Sequence, residues 1–389
     1  MKRIIFVSIY IIAQTACVAQ PFAGVLRTIE ENNTALRAAR EANRATMTQR
    51  RAENSVGATS VEYSPFYGSG ISGTASSELI VSQEFDFPTL YAARKKSNDM
   101  QQQVLDLQYM TLRRDILLQA EKLCYDYVTA ERMRALLLQK QQNSDSLLTV
   151  YEKRLKHGEA TILDLNRIRM DRMAVMTEVA RYEGNRRSIM LELQKLNGGK
   201  AELPDIISDE GSTALAPLPA IHAVRTTLEE QTATAALEAS RQEVKVEKQG
   251  WIPKLTMGYR RNTELKEATN GFLVGVQMPL FSNGGKVKAA RQRVEAARQE
   301  EENTKVEARA ALTARYAEAE QLLAMLKAYD VPLMQQTLAL LLRAVNAGEL
   351  SIATYYQEAN TIYSSLLERL TLENEYNKKN SELNAQLGI

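Results

Sequence analysis

From Thr89 to His157 the chain runs without a single glycine or proline. At 1.5 Å of rise per residue, a helix over such a run of roughly 70 residues reaches on the order of 100 Å. No compact core requires a helix of that length, so the run predicts a coiled-coil stave. Leu137, Leu148, Tyr151 and Leu155 recur along it at mixed seven- and eleven-residue spacings, which keep a supercoil nearly straight. A second run, Lys286 to Ala347, is interrupted only by Pro332, which predicts a kinked helix. Its alanines (Ala289, Ala290, Ala296, Ala297, Ala310, Ala311, Ala314) suit close helix packing.

The two runs belong to one plan used twice. Pro88 and Pro279 each close a strand-like segment, Gly158 and Gly348 each interrupt the helix that follows, and Gly198 and Gly388 each end the next one. Each pair lies about 190 residues apart, the mark of a tandem duplication. The expected first repeat, 20–198, holds a helix, strands near 61–67 and 78–87, a long helix near 89–156 and a helix near 160–196. A proline-bearing linker, 199–218, leads to the second repeat, 219–389. That repeat holds a helix, strands near 253–260 and 271–279, a long helix near 286–346 and a helix near 350–386. The fold class is mostly α with a small β portion.

Alternation along the strands separates two faces. Leu79, Val81, Phe85 and Phe87 oppose Ser82, Glu84 and Asp86; Leu255, Met257 and Tyr259 oppose Thr256, Gly258 and Arg260; Phe272, Val274, Val276 and Met278 oppose Leu273, Gly275 and Gln277. Two structures fit this pattern: a transmembrane β-barrel, apolar outside and polar inside, and a soluble sheet buried on one side. Tyr63, Phe85, Phe87, Tyr259 and Phe272 stand near strand ends, where a barrel carries its aromatic girdle. Four strands close no barrel, since about eight is the smallest practical number. Barrel edges must then be met by further copies: two give eight strands, three give twelve, and only the larger count leaves an open lumen.

The first residues, MKR then IIFVSIYIIA then ACVAQ, read as an export signal spanning 1–19. Two processing routes fit: cleavage after Ala19, or lipidation of Cys17 as the first mature residue, although Gln14 stands where a lipoprotein signal wants an aliphatic side chain. Beyond it no run of about 18 apolar residues exists, so any membrane crossing must be made by strands. With 49 basic against 47 acidic residues, interleaved, nothing calls for nucleic acid. Two cysteines and two histidines (His157, His222), far apart, form no metal or disulfide framework. The 13 methionines are scattered at helical spacing, which suits packing better than a copper relay. No catalytic constellation, cofactor motif or phosphate loop is legible.

The joints SQEFDFP and GVQMPLFSNGGKV, the bend RLKHGEATILDL and the duplicated halves together resemble the TolC-like outer-membrane efflux proteins, over nearly the whole mature chain. The resemblance is nearest to the channels that serve resistance-nodulation-division pumps. It implies a homotrimer in which each protomer gives four strands to a 12-stranded transmembrane β-barrel set in outer-membrane lipid, continued by a long antiparallel helical, coiled-coil barrel through the periplasm. A periplasmic adaptor would dock at the tunnel tip, around Gly158, Glu159, Thr161, Gly348, Glu349 and Ser351, and an inner-membrane pump would supply energy. Glu84, Asp86, Arg260 and Gln277 would line the barrel lumen. Asp164, six residues past the first bend glycine, and Tyr363, fifteen past the second, match gate positions of the family. Asp164 equally suits a helix cap and Tyr363 a packed core. Thr354 stands where a second aspartate would, against the family's symmetric constriction. Drug or metal efflux, protein secretion through the same kind of duct, and a coiled-coil structural role in the periplasm are the functions to be separated.

Overall fold

The computed structural model describes residues 22–68, 74–206, 217–219, 226–264, 267–278 and 284–387. The export signal with Cys17, the middle of the linker, His222, Pro279 and Gly388 lie outside the described residues. In chain order the elements are α1 (Ala23–Asn32), α2 (Thr34–Glu53), β1 (Ser60–Tyr67), β2 (Thr74–Phe85), α3 (Pro88–Lys156), α4 (Ile162–Leu196), α5 (Leu228–Gln249), β3 (Lys254–Glu264), β4 (Glu267–Gln277), α6 (Gly284–Lys327), α7 (Val331–Ala347) and α8 (Ile352–Leu387). Helix α3 runs unbroken for 69 residues. Proline is well placed at its first position, where the backbone N–H it lacks would have no partner.

Two compact units form, and neither is a sequence half. One draws on the described parts of Met1–Thr34, Ile116–Pro217 and Gln321–Ser381, the other on those of Ala35–Asp115, Leu218–Glu320 and Glu382–Ile389. The first is all helix. Its core gathers Leu147, Tyr151, Leu165, Ile168, Val345 and Ile352 from α3, α4, α7 and α8. Polar rungs join α3 to α8: Arg132 reaches Glu373 at 2.6 Å, Asn374 donates to Asp126 at 2.7 Å and Ser381 donates to Glu121 at 2.8 Å. Between these rungs Cys124 is fully buried, and burial, reinforced by the Glu121 charge, pushes its thiol up to about 12. The second unit holds the four-stranded antiparallel sheet, in the order β1-β2-β3-β4. A small core of Leu312, Ala319 and Leu383, flanked by Leu218 and Tyr316, packs its helices.

Three expectations change. The helix before β1 is two helices, because Asn33 ends α1 and turns its side chain to the Leu196 carbonyl at 2.8 Å, closing the C-terminus of α4. The second long helix is not kinked at Pro332 but divided. Asp330 caps a new helix by accepting from the Leu333 N–H at 2.9 Å, with Pro332 in the first turn where its missing donor costs nothing. The alanine stripe of α6 is only partly used inside the protomer: Ala290 is buried and Ala297 and Ala311 half-buried, while Ala289, Ala296, Ala310 and Ala314 are exposed.

Two helix reversals lie in the helical unit. Between α3 and α4 Gly158 takes φ +76°, and the Glu159 N–H returns to the Arg154 carbonyl at 2.8 Å. Between α7 and α8 Gly348 takes φ +82°, and the Glu349 N–H returns to the Ala344 carbonyl at 3.0 Å. Both are left-handed helix ends, which a side chain disfavours. A methyl at Gly158 would meet no atom within 4 Å, so only the backbone conformation resists it. Gly158→Ala and Gly348→Ala are each expected to destabilise the helical unit by about 1–2 kcal/mol, read as a lower thermal unfolding midpoint by circular dichroism.

Candidate functional site

The register of the sheet sorts its side chains into two faces. Val61, Val81, Tyr259 and Phe272 form one cross-strand row; Gln83, Met257 and Val274 the next; Phe85, Leu255 and Val276 the one nearest the helices. On the far side of the Val61 row lie Tyr63, Leu79, Arg261 and Asn270. From Leu79 to Phe85 this apolar band measures about 20 Å along the strand, near the height a barrel presents to lipid. The protomer leaves it uncovered: Phe272 is 94% exposed and Val274 75%. Tyr63, Tyr259 and Phe272 stand at its outer margin, Phe85, Phe87 and Trp251 at its helix end.

The opposite face carries Glu62, Glu78, Ser82 and Glu84 against Lys254, Thr256, Arg260, Asn262 and Gln277, with Ile80 and Leu273 as its apolar exceptions. Of the lumen residues named from sequence, Arg260 is paired with Glu78, and Glu84 is exposed with Lys254 at 3.7 Å. Gln277 closes β4 opposite Lys254. Asp86 differs from expectation. Strand β2 stops at Phe85, and the Asp86 carboxylate turns to Arg94 on α3 at 2.6 Å. Asp86 and Gln277 meet in a cleft of about 1000 Å³ where strands join helices, together with Arg94, Glu243, Lys254 and Lys286.

The two helix reversals are built alike. Thr161 caps α4 by accepting from the Asp164 N–H at 3.2 Å, and the Asp164 carboxylate accepts from the Thr161 N–H at 2.9 Å and its hydroxyl at 2.7 Å. This is a reciprocal capping box, and it occupies the carboxylate expected at a gate. Ser351 caps α8 in the same way, accepting from the Thr354 N–H at 3.1 Å, while the two hydroxyls lie 2.8 Å apart. Thr354 thus holds the position of Asp164 in the cap, with a hydroxyl where the first copy has a charge. Glu159 and Glu349 are exposed on the turns.

Arg154 fastens the two reversals together. Its guanidinium donates to the carbonyls of Val345 at 3.2 Å and Asn346 at 2.5 Å, at the negative end of α7, and lies 5.2 Å from the Tyr151 ring centre. Further up, Tyr363 is 3% exposed on α8, its hydroxyl accepting from Asn143 on α3 at 3.1 Å. Burial raises the Tyr363 phenol above its ordinary value, against the opposing Asn143 hydrogen bond. Lys140 lies over the same ring at 5.5 Å and pairs with Asp171 of α4 at 3.3 Å, the two side chains 14% and 10% exposed. Ser144 donates to the other Asp171 oxygen at 2.9 Å. Of this cluster the sequence singled out Tyr363 alone. Arg154 had one usable signal, a basic residue in the last turn before a glycine reversal. Asn143, Lys140 and Asp171 had none, because their partners are set by helix pairing.

Among the described residues no helix is long and apolar enough to cross a membrane, and no group of three His, Cys, Asp or Glu side chains gathers as a metal cage. Residues 229–389 match the outer membrane efflux protein family. No curated protein sequence matches. Among solved structures, a membrane protein from Pseudomonas aeruginosa superposes with a TM-score of 0.77 at 16% identity, over 93% of this chain and 89% of the other. The MtrE outer membrane channel of Neisseria gonorrhoeae, solved in its open state, gives 0.74 at 15% identity, over 94% and 88%. The outer membrane protein VceC of Vibrio cholerae gives 0.71 at 16% identity, over 93% and 94%. The second half of the chain is thus similar to the outer membrane efflux proteins, and over nearly its whole length the chain has the TolC-like fold.

Proposed function

We propose that the protein is the outer-membrane duct of a tripartite efflux system in a Gram-negative envelope, giving small solutes passive passage through periplasm and outer membrane. One observation carries this reading: the sheet joins an uncovered apolar face to a charged one and ends at two strands, β1 and β4, each paired on one side only among the described residues. In lipid such edges must find partners, and three copies edge to edge supply twelve strands with a wet interior. Glu84, Arg260 and Gln277 then face the lumen, and Asp86 lines its base.

The reversals at Gly158 and Gly348 form the periplasmic tip. Glu159, Thr161, Glu349 and Ser351 offer polar groups there to an adaptor protein, which couples the duct to an inner-membrane pump of the resistance-nodulation-division type. The equivalent construction of the two tips supports descent from one duplicated repeat. Opening the tip requires α7 and α8 to part from α3. Tyr363 and Arg154 resist that movement, the first through Asn143 and the second through the α7 carbonyls. Asp164 acts one step back, by fixing the start of α4.

In a purified outer-membrane fraction the protein is expected as a heat-resistant trimer with β-sheet signal; recovery solely as a soluble periplasmic monomer would contradict the duct. In planar bilayers, Tyr363→Ala and Arg154→Met are each expected to raise single-channel conductance. Asp164→Ala is expected to cost about 1 kcal/mol of stability through its cap and to change conductance little. Conductance unchanged in both Tyr363→Ala and Arg154→Met would remove the proposed latch.

A further inference from the structure

The apolar face of the sheet carries one cation. Arg261 is exposed on β3, directly opposite Asn270 on β4, in the row that bounds the apolar band on the side away from the helices. Its neighbour Arg260, on the other face, is paired with Glu78. Arg261 has no such partner, and among the described residues no carboxylate lies within ion-pair distance of it. The nearby acids Glu62 and Glu78 belong to the opposite face, which strand alternation keeps turned away.

The Asn270 side chain sharpens the chemistry on offer. Its amide oxygen accepts from the Tyr259 hydroxyl at 2.6 Å. With one lone pair of that oxygen engaged, the amide keeps both N–H donors of its NH₂ to present, beside a guanidinium that has donors only. A patch rich in donors with one unbalanced positive charge suits an anion with several acceptor oxygens. Tyr259 adjoins it and Tyr63 lies in the same row beyond Leu79, so it sits at the depth where aromatic side chains mark the boundary between hydrocarbon and headgroups.

We propose that Arg261 and Asn270 form a binding site for the phosphate of an anionic lipid in the outer leaflet. The site rests on the membrane placement proposed above. Helices α2 and α3 attach to the sheet at the ends of β1 and β2 remote from this row, so with the helices in the periplasm the row lies at the outer surface. The guanidinium fork takes two phosphate oxygens, and the Asn270 amide donates to a third position on the same group. The bound lipid would seat against the apolar band formed by Phe272 and Val274.

The test is made on the full-length protein purified in detergent and exchanged into discs of phosphatidylcholine doped with the phosphorylated glycolipid lipid A. Native mass spectrometry then counts the lipid A retained per protein. Wild type is expected to retain it, and Arg261→Gln to bind it about tenfold more weakly, the scale of one lost charge-assisted hydrogen bond. Arg260→Gln, one residue along and on the other face, is expected to retain it as wild type does. Equal retention by wild type and Arg261→Gln, or equal loss in Arg260→Gln and Arg261→Gln, would overturn the site. Displacement of lipid A by inorganic phosphate alone would overturn it as a lipid site. Failure of the wild type to enter discs is a separate readout and would overturn the membrane placement itself.

Discussion

The unsatisfied backbone along β1 and β4 governs the rest of this molecule. Each edge exposes N–H and C=O groups, each costing several kcal/mol if left unpaired in hydrocarbon. A soluble protein can hide such an edge under a loop or leave it to water. A sheet whose adjoining face is a 20 Å band of valine, leucine and aromatic side chains, roughly the height of a barrel's lipid-facing belt, has neither choice. In the membrane placement proposed above its edges are met by further strands, which makes the pore and the oligomer one requirement. The charged face fits the same proposal, because a ring of twelve strands would leave an interior wide enough for water to reach Glu84, Lys254 and Arg260.

The helical unit answers a different problem, that of ending long helices without leaving their terminal groups bare. Both reversals use a left-handed glycine, a carbonyl taken back by the next glutamate's N–H, and a hydroxyl cap on the following helix. This leaves the turns compact and polar while the apolar core begins immediately above them, at Leu165 and Ile352. The two reversals are joined by that shared apolar core and, beside it, by Arg154 and a short ladder of polar contacts.

What the sequence disclosed followed period and punctuation. Alternation at Leu255, Met257 and Tyr259 and at Phe272, Val274 and Val276 placed the correct residues on each face, because neighbours along a strand fix that parity by themselves. The absence of glycine and proline marked α3, and the bend glycines marked the helix reversals. Position across strands and helices was beyond reach. Asp86 read as one more strand residue because alternation continues past Phe85; only the Arg94 contact shows that the strand has ended. Pro332 read as a kink because the cap supplied by Asp330 depends on the backbone turning at Tyr329. Asp164 was legible as a residue and not as a role, since a carboxylate three residues after a threonine serves a cap or a pore equally well. Lys140, Asn143 and Asp171 look like any solvated helix residues until α3, α4 and α8 are laid side by side.

The burial of Cys124 bears on how such a chain survives export. A compartment that forms disulfides is hazardous for an unpaired thiol, which can cross-link to strangers or block its own folding. Here the sulfur is enclosed by helix packing and held protonated, so the reactive thiolate is nearly absent once α3 and α8 have joined. The danger is then confined to the interval between secretion and helix pairing. Quick association of those two helices protects the chain chemically as well as mechanically.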